Sequence, residues 1–428
     1  MLPVEVALER SLATAPPPQA ESVILADALG RVLMEDVAAQ SALPPWDNSA
    51  MDGFAVRTQD TQSAGSGAAD DCEAMPAADA EDPCLEVVST IPAGAAPSRH
   101  LRAREAARIY TGAPLPAGAD AVVMQEHTTH RGNTVQIHTA PRIGQNIRRE
   151  GEDVAAGDTV LTSGTILSAS RLGLAAAVGR ETVMVSRQPT VGVIATGDEL
   201  VRPPKPLSAG HIYSSNTTAL MGLIREAGAI PVDCGIARDN LESTRAAFER
   251  ASTCDLILST GGVSVGDFDV VKDAMNEAGA EMAFWTVAMK PGKPLALGVI
   301  AGTPAFGLPG NPVSAQVGFL QFVRPWIRCA LGDPRPFLPV VKARLTSAYK
   351  KKAGRAEFIR ATLIHNEDGT LAAPLTRQGS GNQASMPDAH GLVMMPADAS
   401  LLEAGEIVSV QLLTPGLPGQ AEAAFPWQ

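Results

Sequence analysis

One construction repeats three times between residues 256 and 312, and it restricts what the chain can fold into. Each copy is a short apolar run, a glycine-rich turn, then polar or charged residues. The first copy reads Leu256-Ile-Leu-Ser-Thr-Gly-Gly-Val-Ser-Val-Gly-Asp-Phe-Asp, the second ends Met289-Lys-Pro-Gly-Lys-Pro, and the third ends Gly307-Leu-Pro-Gly-Asn-Pro. The unbroken aliphatic pattern over 255–258 predicts a buried parallel strand. Gly261, Gly262 and Gly266 remove side chains where that strand ends, so backbone N–H groups can turn towards a ligand. Asp269 then opens a helical segment with Val270, Val271, Ala274 and Met275 on its apolar side. In the second copy Lys290 and Lys293 share a turn held by Pro291 and Pro294. Two ammonium groups so placed repel each other unless an anion lies between them. The third copy closes on Pro309, Gly310, Asn311 and Pro312, a helix opening with Asn as cap and Pro in the first turn. A helix start suits an oxyanion through its free N–H groups and its dipole. Three strand ends are therefore expected to converge on one anionic ligand, with carboxylates close by. Taken singly, each copy also reads as ordinary turn punctuation.

The flanking sequence supplies the rest of a sheet. A strand over 190–195 runs into Thr196-Gly197-Asp198-Glu199, and Asn216 is expected to cap a helix with Leu220, Leu223, Ile224 and Ala227 on one face, closed by Gly228. A strand over 230–234 leads to Arg238-Asp239-Asn240 and a helix containing Leu241 and Phe248; a final helix covers 313–331. This alternation argues for a doubly wound, mostly parallel sheet. Its strand ends carry Asp198, Glu199, Asp239, Asp267, Asp269, Lys290 and Lys293. Asp239 reads equally well as a helix cap.

Elsewhere the patterns are shorter. Val4, Ala7, Leu8, Ser11 and Leu12 fall at helical spacing; residues 23–37 read as strand, short helix and strand. Residues 44–56 are irregular and then extended, with Asp47 and Asn48 as possible caps and Asp52-Gly53 as a turn dipeptide. Residues 61–83, rich in Ala, Asp, Gly and Ser, read as a flexible insert. Short strands from 85 to 139 predict a compact β-rich domain, with His127 and His130 facing solvent. A charged loop over 146–153 carries Arg148 and Asp153, which a solvated face would explain. Ser168 caps a helix through Val178 that Gly179 ends. From 334 onward, period-two alternation predicts a small β-barrel or sandwich. There Lys350, Lys351 and Lys352 form an exposed hairpin tip, Arg360 is a surface position between apolar neighbours, and Ser380 offers a hydroxyl in a glycine-rich turn.

The chain has 428 residues, room for about three domains. Its net charge of −12 disfavours nucleic acid and anionic membrane as main partners, so an anionic ligand needs a local basic pocket. Five cysteines without a CxxC pair fit reduced structural thiols. No apolar signal core and no run long enough to span a bilayer are present, so a soluble cytoplasmic protein is expected.

In chain order, Asp47-Asn-Ser-Ala-Met-Asp-Gly-Phe-Ala-Val, Tyr110-Thr-Gly-Ala-Pro, Arg149-Glu-Gly-Glu-Asp, Ala195-Thr-Gly-Asp-Glu-Leu, Ser259-Thr-Gly-Gly-Val-Ser-Val-Gly-Asp, Lys290-Pro-Gly-Lys-Pro and Leu308-Pro-Gly-Asn-Pro-Val-Ser-Ala closely resemble the molybdopterin molybdenumtransferase (MoeA) family, which includes the gephyrin E domain. The resemblance implies four regions: a discontinuous linker domain (1–45 and 148–185), an inserted β-rich domain (46–147), an α/β molybdopterin-binding domain (186–333) and a C-terminal β-barrel (334–428). It implies an enzyme that takes adenylylated molybdopterin and molybdate and, with Mg²⁺, releases AMP as molybdenum enters the dithiolene. A homodimer is implied too, with an upstream adenylyltransferase and downstream molybdoenzymes or their chaperones as possible partners.

Carried over residue by residue, the acidic positions are Asp52, Asp153, Glu199, Asp239 and Asp269, with Glu199, Asp239 and Asp269 as the metal ligands. Thr111 and Arg148 match polar positions. Lys290, Lys293, Arg360 and Ser380 would hold molybdate, a tetrahedral dianion. The turn residues Thr196, Gly197, Asp198, Gly261, Gly262, Ser264, Pro309, Gly310, Asn311 and Pro312 would line the substrate. Two departures stand out: Thr286 where relatives often carry a basic residue, and Phe54 in place of a frequent Tyr. Two other functions compete, a molybdopterin adenylyltransferase built on the α/β unit alone and a non-catalytic scaffold like gephyrin.

Overall fold

The computed structural model describes residues 1–62, 82–262, 281–367 and 369–413. The expected helix after Asp269, the residues Ser264 and Asp269, and most of the expected 61–83 insert lie outside the described residues. Two compact units emerge: residues 22–29 with 35–183, and residues 1–21, 30–34 and 184–428.

The first unit is built on a six-stranded sheet: β1 (Gly53–Val56), β2 (Cys84–Ile91), β3 (Glu105–Ile109), β4 (Ala121–Met124), β5 (Thr128–Arg131) and β6 (Thr134–Ile137), in the order β4-β1-β3-β2-β6-β5. Both faces are covered. Alternation along β1 sends Phe54 and Val56 to a cluster with Leu85, Val123 and Ile137, and Ala55 to another with Ile91, Ile109 and Val122. Gly53 opens β1 rather than forming a turn. A Cβ at that position would overlap the carbonyl oxygen of Val123 on the neighbouring strand, so only glycine lets the two backbones approach. A helix over Ala169–Ala177 follows, capped as expected by Ser168, whose Oγ accepts from the Arg171 amide at 3.4 Å.

The second unit holds the α/β sheet. Its strands are β7 (Thr190–Thr196), β8 (Ile230–Ala237), β9 (Leu256–Thr260), β10 (Glu281–Thr286), β12 (Pro294–Ile300) and β13 (Thr303–Leu308), in the order β8-β7-β9-β13-β12-β10; a two-residue strand, β11 (Met289–Lys290), lies between β10 and β12 in sequence. β8, β7, β9 and β13 pair in parallel, and β12 is antiparallel to both β13 and β10. β10 therefore points the same way as the parallel four. The sheet is mixed through β12, which returns from the Lys290–Lys293 turn. Ile194, Ile257, Ala296 and Ala305 pack with Phe248 of α2 (Leu241–Ala251) in its core.

Helix boundaries differ from expectation at two positions. Helix α1 is Ser215–Glu226 with Ser214 at its N-cap, so Asn216 lies inside the first turn. Asn240, not Asp239, caps α2, its Oδ1 accepting from the Ser243 amide at 2.9 Å. The last helix begins at Pro312 as expected: α3 (Pro312–Gly318) runs through a wider turn over Phe319–Val323 into α4 (Arg324–Ala330).

The C-terminal strands β14 (Val340–Leu345), β15 (Ala356–Asn366), β16 (Gly369–Pro374), β17 (Gly391–Met395) and β18 (Ile407–Leu412) form a closed barrel, because β15 pairs with both β16 and β17. Ile359, Ala361 and Leu363 point into its core. The lysines 350–352 are not a hairpin tip: Tyr349–Lys350 pairs with Leu401–Leu402, and the Lys351 ammonium donates to the Arg355 and Ala397 carbonyls.

Four cysteines carry free thiols among the described residues. Burial pushes Cys234 up to about 11, which leaves little thiolate at neutral pH. No helix among the described residues is long and apolar enough to cross a membrane.

Candidate active site

Parallel pairing delivers the carboxyl ends of β7, β8, β9 and β13 to one edge of the sheet, and side chains stitch the turns together there. The Asn216 amide donates to Thr260 Oγ1 and to the Gly310 carbonyl, both at 2.9 Å; Thr260 Oγ1 donates in turn to the Pro309 carbonyl at 3.1 Å. Asn216 thus ties the turn after β9 to the turn after β13. Its expected role as a cap had hidden this. Gly261 has φ +92°, and a Cβ there would stand 2.6 Å from the Thr196 carbonyl oxygen, so the turns after β7 and β9 touch through bare backbone.

These turns border an open cleft of about 520 Å³ lined by Thr196, Gly197, Glu199, Asp239, Gly261, Gly262 and the 309–312 turn. Glu199 folds back over Gly197, where a Cβ would overlap its carboxylate. Asp198 and Asp239 are joined through backbone amides: the Asp198 amide donates to Asp239 Oδ2 at 3.2 Å, and the Asp239 amide to Asp198 Oδ1 at 3.3 Å. The Arg238 guanidinium donates to the Asp198 carbonyl. Among the described residues neither Glu199 nor Asp239 has a cationic partner. Glu199 and Asp239, both lining this cleft, are hard-oxygen donors of the type that suits a divalent cation such as Mg²⁺.

The barrel meets the α/β domain beside this cleft. Ser380 accepts from the Val313 amide through its carbonyl at 3.1 Å, and Ser215 Oγ donates to Gln383 at 3.2 Å. Arg360, expected at the surface, is 1% exposed. Its even position on β15 turns it away from the barrel core, and Nη2 donates to the Arg377 and Gly379 carbonyls of the loop carrying Ser380. Burial lowers its pKa, yet a guanidinium stays protonated. Its buried Nε and Nη1 have no partner among the described residues, a costly state that an anion would relieve.

Lys290 is placed differently. β11 pairs with β15 in the register Lys290↔Glu357, and the Lys290 ammonium sits 2.8 Å from Glu357 Oε1, which also accepts from the Tyr349 hydroxyl at 2.7 Å. Lys293 is exposed on the same turn.

In the other unit, Asp52 Oδ1 accepts from both the amide and the hydroxyl of Thr111 at 2.8 Å. Those bonds, the backbone one first, hold Asp52 below the usual carboxylate range, helped by the charge of Arg108. Arg148 pairs with Asn48 across two short strands, and Asp153 is exposed, its amide donating to the Leu43 carbonyl. Asp47 is no helix cap; it accepts from the Glu150 amide and the Arg149 guanidinium, fixing the charged loop. Sequence reasoning had passed over Arg108, Tyr349 and Glu357. Each stands in a strand register that only pairing reveals.

Comparison with known proteins agrees along the whole chain. Residues 2–179 match the MoeA N-terminal region (domain I and II), 192–329 the probable molybdopterin binding domain, and 342–413 the MoeA C-terminal region (domain IV). The chain is 42% identical over 399 residues to molybdopterin molybdenumtransferase 2 of Mycobacterium tuberculosis, covering 92% of this chain and 95% of that protein. To the molybdopterin molybdenumtransferase of Bacillus subtilis it is 36% identical over 418 residues, covering 96% and 94%. The crystal structure of a molybdopterin biosynthesis MoeA protein from Pyrococcus horikoshii superposes with a TM-score of 0.80 at 34% identity, covering 97% of this chain and 99% of that one. The chain therefore belongs to the MoeA family of molybdopterin molybdenumtransferases, transferases of molybdenum cofactor biosynthesis.

Proposed function

We propose that the chain transfers molybdenum from molybdate to adenylylated molybdopterin, releasing AMP, in a reaction that depends on Mg²⁺. The observation that carries this reading is the α/β cleft, where Glu199 and Asp239, without a cationic partner among the described residues, line one space with turns from three strand ends. Glu199 and Asp239 would hold the cation, with Asp269 as a third ligand. When bound, a hard divalent cation polarises the phosphoryl oxygens of the adenylate. The residues of the chain supply position. Gly261, Gly262 and Gly310 let backbone N–H groups approach the ligand, and Asn216 keeps their turns in register. Arg360 offers molybdate two nitrogens that already lie out of water, where a charge-assisted hydrogen bond is strongest. Lys293 and Ser380 add a second cation and a neutral donor. Lys290 reaches the oxyanion by exchanging Glu357 for it. The protein works as a homodimer in the cytoplasm, between the adenylyltransferase that makes its substrate and the molybdoenzymes that take its product.

The test is AMP release measured with adenylylated molybdopterin, molybdate and Mg²⁺. Wild-type protein should release AMP, and Glu199→Gln should lose at least about 100-fold in rate, since one charged ligand is replaced by a neutral one. Equal rates for the two proteins would contradict the reading.

A further inference from the structure

The two halves of the Lys290–Glu357 pair stand in different surroundings. The side chain of Glu357 is 4% exposed and that of Lys290 45%, so the carboxylate is sealed in while the ammonium faces out. Strand pairing sets this arrangement, because β11 lies parallel to β15 with Lys290 opposite Glu357. Glu357 Oε1 is the shared atom, 2.8 Å from the Lys290 ammonium and 2.7 Å from the Tyr349 hydroxyl. Burial first, and then the bond to Glu357, raise the Tyr349 pKa, so the hydroxyl keeps its proton and donates. The carboxylate is thus pinned by a neutral donor, and its charge is matched by a long, flexible cation. The Lys351 ammonium, which also feels the Glu357 charge, donates to the Arg355 and Ala397 carbonyls instead.

A buried carboxylate left with only a hydroxyl for a partner is costly, so the closed pair is the resting state. An oxyanion that engages Lys290 must displace Glu357 from it. The apparent affinity for that oxyanion then falls by the fraction of time in which Lys290 is released. We infer that Glu357 is a built-in competitor for Lys290 and sets how tightly the oxyanion site holds its ligand. Glu357 acts through Lys290 and touches no ligand itself. Tyr349 tunes the competition, since its hydroxyl is what remains to the carboxylate once Lys290 has left. The inference rests on the oxyanion site proposed above.

The experiment titrates molybdate calorimetrically into wild type, Glu357→Gln and Tyr349→Phe at one pH and one salt concentration. Glutamine keeps the volume and an acceptor for Tyr349 but releases Lys290. Phenylalanine keeps the carboxylate but removes its second partner. With the pair closed about nine-tenths of the time, Glu357→Gln should bind molybdate about 10-fold more tightly than wild type. Tyr349→Phe should bind it about 3-fold or more weakly, because the carboxylate that Lys290 leaves then keeps neither partner. A merely structural role for the cluster would weaken both variants. Plain charge repulsion by Glu357 would tighten the first and leave the second unchanged. Either pattern, or equal binding by all three proteins, overturns the inference while leaving the oxyanion site standing. Thermal melting without molybdate checks folding. If Glu357→Gln does not fold, Tyr349→Phe decides alone: weaker binding supports the competition, and equal or tighter binding refutes it. Should none of the three bind molybdate, the oxyanion site itself fails and the inference falls with it.

Discussion

Among the described residues, Arg360 is a buried guanidinium with two nitrogens that have no hydrogen-bond partner. Arg360 already gives Nη2 to two carbonyls, so its orientation is set before any ligand arrives. Arg360→Ala should raise the molybdate concentration for half-maximal AMP release about 10- to 100-fold, the equivalent of one or two charge-assisted hydrogen bonds. An unchanged molybdate dependence would remove it from the oxyanion site. Sequence alone placed Arg360 between apolar neighbours and read it as exposed, because a period-two pattern shows which residues share a face but not what covers that face. Asp239 was ambiguous only until Asn240 proved to be the cap, and Asn216 was misread because a one-residue shift in a helix start is below what pattern can resolve.

The elements are held in place by contacts that make separate predictions. Gly53 enters β1 where any side chain would strike Val123. Gly53→Ala should destabilise that unit by about 1–3 kcal/mol, the usual range for overpacking, as read by denaturant unfolding. In the α/β sheet, Asp255 sits just before β9 and accepts from both Arg187 terminal nitrogens and from the Thr190 amide and hydroxyl. Burial alone would raise its pKa, but the Arg187 and Thr190 bonds outweigh it and leave the carboxyl below its ordinary value. A carboxyl depressed in the folded state adds stability above its unfolded pKa of about 3.9 and loses it as pH falls through the lower folded value. Asp255→Asn should therefore cost about 2 kcal/mol at pH 7, and the gap to wild type should close as pH falls through that lower folded value. A gap that persists at that pH would show that the charge is not its source. The strands themselves were well marked in sequence, since continuous aliphatic runs and period-two alternation report burial on two faces or one. The short pairings were not: β11 has two residues, and its partnership with β15 is a long-range event that local pattern cannot carry.

At the scale of the whole molecule, the chain carries a net charge of −12. Selective binding of anionic substrates must then come from desolvated, fixed groups rather than from long-range attraction, which salt screens within about 10 Å. The proposed homodimer should sediment at twice the chain mass at working concentrations, and Glu199→Gln should leave that mass unchanged while removing activity. A monomer with full activity would contradict the proposed assembly. The order of the motifs along the chain was enough to identify the family, because seven short phrases in one order carry far more information than any one of them. The central claim is that the cleft at the carboxyl ends of β7, β8, β9 and β13 receives the adenylylated substrate. A crystal structure with adenylylated molybdopterin, molybdate and Mg²⁺ tests it most directly. The account predicts the ligand's anionic groups against Thr196, Gly197, Gly261 and the 309–312 turn, with a cation on Glu199 and Asp239. Ligand bound on another face, with this cleft empty and its carboxylates free of metal, would contradict it.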